Sequence, residues 1–198
     1  MVNKVESVFK DSNVEDRRFQ RQFFNKTNLS SKIFSECEFI NCEFNEVDFS
    51  NSRLSECKFQ QCKVTMASLK TCKMQDVIFS ECKLIGIDFS ICDPLLLSME
   101  FDNCSIQSSN FSQMDLQHTK FHNSIVKECR FIETNLTSAS FMGCDLTGTI
   151  FNNTVLNKAD FTEAFNYQIN PMTNKLKKAK FTLPNAIALL EMLDIKIE

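Results

Sequence analysis

A ladder of Phe, Leu, Ile, Val and Met repeats every five residues through most of this 198-residue chain. It runs from Phe19 through Phe24, Leu29, Phe34 and Phe39 to Phe89, resumes at Leu96, and continues through Phe101 to Phe161. Neither regular secondary structure accommodates such a step. Five residues of an α-helix turn through about 500°, so successive ladder residues would drift around the axis without forming a stripe. In a straight strand, side chains alternate with period two, and an odd step sends every second ladder residue to the opposite face. The chain must therefore change direction about every five residues. Two side chains of each five then point inward: the ladder residue and the small residue two before it. The other three positions are mostly Ser, Asn, Gln, Glu, Asp, Lys and Thr, as suits positions facing water. A fixed internal period of this kind defines a repeat architecture.

Segments such as Cys57-Lys58-Phe59-Gln60-Gln61, Ala139-Ser140-Phe141-Met142-Gly143 and Ala159-Asp160-Phe161-Thr162-Glu163 follow a small-polar-apolar-polar-polar pattern. In this the chain resembles the pentapeptide-repeat family, over roughly residues 17–166. The resemblance implies an all-β solenoid: a right-handed quadrilateral parallel β-helix, four repeats to a coil, here with a C-terminal α-helix. Residues twenty apart then stack on one side. One side collects Phe19, Phe39, Phe59, Phe79, Phe101, Phe121, Phe141 and Phe161. The opposite side collects Leu29, Phe49, Leu69, Phe89, Phe111, Phe131 and Phe151, and the other two are mainly aliphatic. The columns stay in phase if the seven-residue step from Phe89 to Leu96 is one side carrying two extra residues. Asp93-Pro94-Leu95 therefore reads as a bulge, where a proline without an N–H is tolerated. About seven coils at a strand spacing of about 4.8 Å make a rod of roughly 35 Å.

This divides the chain into an N-terminal cap (1–16), a first set of coils (17–93), a second set after the bulge (94–166) and a C-terminal capping and dimerisation segment (167–198). Caps are expected because a solenoid's ends expose unpaired strand edges. Thr182-Leu183-Pro184 reads as a helix start, with Thr182 a possible N-cap and Pro184 in the first turn. The helix is expected over about 183–193. Its apolar residues, Leu183, Ile187, Leu190 and Leu193 among them, occupy more than the one face needed to cover the last coil. The surplus points to a homodimer through this segment.

Cysteines such as Cys37, Cys42, Cys57, Cys62, Cys82 and Cys104 take the small inward slot that Ala67, Ala139, Ser109, Thr119 or Val47 takes elsewhere. Cys42, Cys62, Cys82 and Cys104 are expected to stack, as are Cys37 and Cys57, close enough to meet the Cα window of a disulfide. In the cytosol they are reduced thiols packed as small hydrophobes. No N-terminal apolar stretch resembles a signal peptide, and no run approaches the ~18 residues of a membrane span. A cytoplasmic protein without membrane contact is expected.

The residues offer no enzyme. His118 and His122, the only histidines, fall at outward positions. There is no Gly-rich phosphate loop, no paired buried carboxylates and no nucleophile beside a base, so no catalytic, metal or cofactor-binding residue is assigned. The surface carries one lead. Glu36, Glu56 and Asp76 share one outward slot on successive coils, and Glu100, Asp102, Asp160 and Glu163 add an acidic bias later. Together these are the candidate partner-binding surface. Within the family the chain is most similar to the Qnr, MfpA and McbG type, through its length, the break near Pro94 and the C-terminal segment. That subgroup implies a dimeric rod resembling B-DNA, binding DNA gyrase or topoisomerase IV and relieving quinolones or peptide toxins. Direct nucleic-acid binding is not expected. The alternative is an interaction scaffold of the same fold with an unrelated protein partner.

Overall fold

The computed structural model describes residues 11–191. Its strands are mostly three residues long and all paired strands are parallel. Each strand pairs with the one a full turn away, so Phe19 lies against Phe39 and Phe39 against Phe59. The result is a four-walled solenoid. On the Phe34 wall, Asn13–Glu15, Ile33–Ser35, Arg53–Ser55 and Lys73–Gln75 form one sheet. The Phe19 and Phe24 walls carry six-stranded sheets. The Leu29 wall is held early on by isolated bridges such as Asn28 to Asp48 and Asp48 to Ser68.

Why the corners form is visible in the backbone. Away from the bulge, nearly every corner uses a residue in the left-handed region, from Asp16 at φ 47 to His118 at φ 63. For residues with a Cβ that conformation is uncommon, and it is worst for β-branched ones. Among the non-glycine residues found there, Thr71 alone is β-branched. Gly143 shares this conformation at φ 69, and a Cβ there would meet the outer end of the Asn123 side chain at 2.7 Å, so that side chain must shift to admit one.

The ladder side chains fill the interior. Phe19, Phe39, Phe59, Phe79, Phe101, Phe121, Phe141, Phe161 and Phe181 form one continuous stack with ring centroids 4.8–5.3 Å apart. From Phe89 onward a second stack on the opposite wall meets the first edge-on, as Phe111 meets Phe121 at 5.8 Å and 89°. Parallel and edge-to-face contacts are both favoured by the ring quadrupole, each worth about 0.5–1.5 kcal/mol beyond simple burial.

The small slot is more than a space-filler. Cys62 Sγ accepts the Cys42 N–H at 3.4 Å and donates to the Phe39 carbonyl at 3.2 Å. Cys82 repeats this one turn on, toward Cys62 N and Phe59 O. Later turns use oxygen: Ser124 accepts from Cys104 N at 3.0 Å, and Thr149 from Cys129 N at 3.3 Å. Two interior corners are thus laced by side-chain hydrogen bonds that satisfy N–H groups the sheets leave over. All ten cysteines are buried free thiols, and Cys42, Cys62, Cys82 and Cys104 stack as expected, as do Cys37 and Cys57.

Four expectations are corrected. First, the coil starts earlier than residue 17, because Val14 is buried and its strand pairs with Ile33–Ser35. The rest of the proposed cap, residues 1–10, lies outside the described residues. Second, Leu96 is not a wall residue. It is 68% exposed at φ 59, while Leu97 packs against the core. Which residue of an inserted run turns inward depends on the corner's handedness, and Pro94-Leu95-Leu96 forms the exposed bulge. Third, the repeat does not stop at 166. One turn is two residues short, with Ile150 opposite Gln168, and Tyr167 fills the space. The phase then recovers, so Leu176 packs on the core and Lys180–Phe181 pairs with Asp160–Phe161. The stack therefore makes eight turns between Phe19 and Phe181 rather than seven. Fourth, the C-terminal helix begins later than Leu183. A 3-10 turn, Asn185–Ile187, leads into the α-helix Ala188–Glu191. Thr182 is not its side-chain cap; its Oγ1 accepts the Glu163 N–H at 2.9 Å. Ala188 and Leu189 face the core, whereas Leu183, Ile187 and Leu190 are exposed. Leu193 lies outside the described residues.

Candidate protein-binding edge

The corner preceding the Phe19 wall carries the candidate surface. Its residue on successive turns is Asp16, Glu36, Glu56 and Asp76, each in the left-handed conformation. Their backbone N–H groups donate to the next turn, Glu36 to Ser55 O at 2.9 Å and Glu56 to Gln75 O at 2.8 Å. The main chain is thereby fixed while the carboxylates project outward. These four acids line one shallow groove with Glu38, Lys58 and Ile78. Glu38 is matched by Arg18 at 3.5 Å, so the corner column supplies most of the uncompensated charge.

Below Asp76 the groove meets the discontinuity caused by the bulge. Ser98 Oγ accepts the Asp76 N–H at 2.6 Å and donates to Asp76 Oδ1 at 2.9 Å. A second depression, also lined by Asp76 and Ile78, continues past Ser98 and Glu100 to Gln117 and His118. The edge then changes sign. Ser138, Lys158 and Lys178 occupy the same left-handed corner on the last turns. The acidic strip is thus confined to the first half of the rod.

The other acids expected in the surface are dispersed or neutralised. Glu100 is bound by Lys120 at 2.9 Å, and Asp160 by Lys180 at 3.1 Å. Partial burial by itself would raise the Asp160 pKa, but hydrogen bonds from Thr162 and the Lys180 ammonium outweigh it and hold the carboxyl below the usual range. Asp102 accepts from Asn103 Nδ2 at 3.0 Å, beside the next corner. Glu163 occupies that next corner, in the left-handed region like Asn103 and Asn123. Asp16 was missed as a member of the groove because it fell inside the supposed cap.

Nothing in the groove resembles a catalytic arrangement. Its carboxylates are exposed, and His122 Nε2 pairs with Ser140 Oγ at 2.9 Å. Among the described residues, no group of three or more His, Cys, Asp or Glu side chains is placed to hold a metal ion. No helix among them is long and apolar enough to cross a membrane. Among the interior thiols, burial pushes Cys72 up to about 11 and Cys129 and Cys144 up to about 12, whereas a hydrogen bond from the neighbouring Cys57 thiol holds Cys37 down, at about 7.

Residues 32–95 match the family model described as the pentapeptide repeat region, and residues 96–170 match that of the SV2A/B/C luminal domain. Among solved structures, HetL, a pentapeptide repeat protein of heterocyst differentiation regulation from the cyanobacterium Nostoc sp. strain PCC 7120, is similar with a TM-score of 0.59 at 14% identity, covering 84% of each chain. A trypsin-treated variant of QnrB1, a plasmid-mediated fluoroquinolone resistance protein, is similar with a TM-score of 0.55 at 21% identity, covering 94% of this chain and 97% of its own. At these identities the likeness is one of fold. No curated protein matches the chain. With the repeat matched in sequence over residues 32–95 and the same rung continuing from Val14 to Phe181, the chain has the fold of pentapeptide-repeat proteins.

Proposed function

We propose that this protein is a non-catalytic binding scaffold that docks its acidic edge on a type II topoisomerase, DNA gyrase or topoisomerase IV, and protects it against quinolones or related toxins. The observation that carries the reading is the column Asp16, Glu36, Glu56, Asp76 along one groove. One carboxylate per turn places negative charge about every 4.8 Å of the rod. The phosphates of one DNA strand recur about every 3.4 Å of helix axis. A basic surface shaped for a phosphate row therefore meets a row of similar pitch and sign. The fold shared with QnrB1 supports the same reading. A topoisomerase partner and ten unpaired thiols both suit the cytoplasm. Pairing of two copies through Leu183, Ile187 and Leu190, as expected from the sequence, would lengthen the rod without covering the groove.

A second reading is favoured by Lys158 and Lys178, which give the far half of the same edge positive charge. An edge acidic over half its length suits a scaffold whose protein partner is smaller than a DNA-binding saddle. Supercoiling by purified gyrase, with and without a fluoroquinolone, separates the two. Protection by the wild-type chain, lost in a Glu36→Lys/Glu56→Lys/Asp76→Lys variant, supports the topoisomerase reading. Neither protection nor binding at micromolar protein leaves the unrelated scaffold.

A further inference from the structure

The sign change along this edge is arranged about its middle turn, with acids at one end and lysines at the other. Nine turns present a residue at this edge, from Asp16 at one end to Lys178 at the other, with Ser98, in register with Asp76 but outside the left-handed set, at the middle. Turn the rod end over end about an axis through Ser98 and the two outer acids each meet a lysine, while the two inner ones meet uncharged hydrogen-bonding groups. Asp16 faces Lys178, Glu36 faces Lys158, Glu56 faces Ser138 and Asp76 faces His118. The neighbouring Phe34 wall obeys the same rule. Its outward residues put Glu15 opposite Lys177, Lys73, which also pairs with Asp93 of its own chain at 3.7 Å, opposite Asp115, and Ile33, which is 42% exposed, opposite Val155. The bulge residues Leu95 and Leu96, 62% and 68% exposed, fall at the centre of this pattern.

We propose that this wall and edge form an antiparallel, two-fold contact with a second copy of the chain. A two-fold contact of this kind sets residue i against j and j against i, so each complementary pair occurs twice. Its centre carries the exposed bulge leucines and charged pairs lie on either side of them, an apolar patch rimmed by polar groups. Equal spacing of the turns keeps all pairs in register once one is made. The geometry stands on the chain's own charges; its consequence rests on the docking reading above, because a second copy covers the same acidic groove. Self-association then competes with the partner and sets how much groove is free at a given protein concentration. The contact differs from pairing through Leu183, Ile187 and Leu190, so the two are separable by mutation.

The test is sedimentation velocity on the full chain over a range of concentrations, at low and high ionic strength. The wild type is expected to dimerise reversibly and to dissociate as salt rises, since exposed charge pairs are screened. Glu36→Lys and Lys158→Glu each place like charges together twice per dimer and are expected to weaken it by about tenfold or more. The double variant Glu36→Lys/Lys158→Glu restores opposite charges and is expected to restore the dimer. Lysine is tolerated in this conformation, which Lys158 and Lys178 adopt at this corner and Lys26 at another. A wild type that stays monomeric at all concentrations overturns the proposal. So does a double variant no stronger than the singles, or a dimer indifferent to both and lost with Ile187→Asp/Leu190→Asp. Because the readout is mass and not gyrase activity, failure here leaves the docking reading standing.

Discussion

Phe121 and Phe141 are twenty residues apart in the chain, yet their rings lie 4.8 Å apart and within 1° of parallel. Each is also met edge-on by Phe131, at 5.7 Å. This ring lattice is what the five-residue period builds, and it explains how a chain with 24% charged residues and many small polar ones holds its shape. Phe121→Ala is expected to cost about 3–5 kcal/mol through lost burial and a cavity bounded by stacked rings. Met172→Ala, at a side chain 77% exposed, is expected to change stability by no more than about 0.5 kcal/mol. Urea unfolding followed by circular dichroism compares the two; equal effects would mean the stack does not bear the stability.

The interior hydrogen-bond ladder makes a sharper distinction among cysteine variants. Cys62→Ser keeps a donor and an acceptor between Phe39 O and Cys42 N, in a slot where Ser124 already does the same. Cys62→Ala removes both and leaves the Cys42 N–H buried without a partner. The expected penalty is about 1–3 kcal/mol for alanine and clearly less for serine. Thermal melts of the two variants check the order, and serine being the worse would refute a bonding role for the sulfur.

Leucines at the bulge report where the solenoid closes. Leu97→Ala is expected to destabilise by about 1–2 kcal/mol, because Leu97 packs against the core. Leu96→Gly is expected to be neutral or stabilising, since Leu96 is exposed at φ 59 and glycine removes the clash of a left-handed Cβ. A reversed order in chemical denaturation would put Leu96 back on the wall.

Alkaline pH should weaken the fold through its thiols. Cys72, Cys129 and Cys144 have pKa values raised from 9.0 to about 11, 12 and 12, chiefly by burial. The folded state therefore holds these protons more tightly than the unfolded chain. Their stabilising contribution is complete below the unfolded pKa and is lost as pH rises through the folded values, between about pH 9 and 12. With three such thiols the slope approaches about 4 kcal/mol per pH unit near the middle of that window. Melting temperature measured from pH 8 to 11 should fall accordingly; a flat profile would mean the thiols are not sealed inside.

Much of this architecture was legible in the sequence because the period is a geometric instruction. Phe39 over Phe59 and Cys42 beside Cys62 follow from counting by twenty. What counting missed lies where the count slips. Leu97 displaced Leu96 because an insertion does not announce which of its residues turns inward. Leu176 and Phe181 escaped notice because a turn two residues short, near Tyr167, broke the phase before it recovered. The acidic column was found at Glu36, Glu56 and Asp76, but Asp160 and Glu100 joined it only in linear charge. Their neutralisation by Lys180 and Lys120 follows from the same twenty-residue spacing and could have been read from it.

Binding of purified gyrase to the immobilised chain, compared between wild type and Glu36→Lys/Glu56→Lys/Asp76→Lys, tests the functional account most directly. The account predicts micromolar or tighter binding by the wild type, and a loss of at least about tenfold on reversing three charges of one edge. Equal binding by both proteins, with the variant folded and melting as the wild type does, would contradict it.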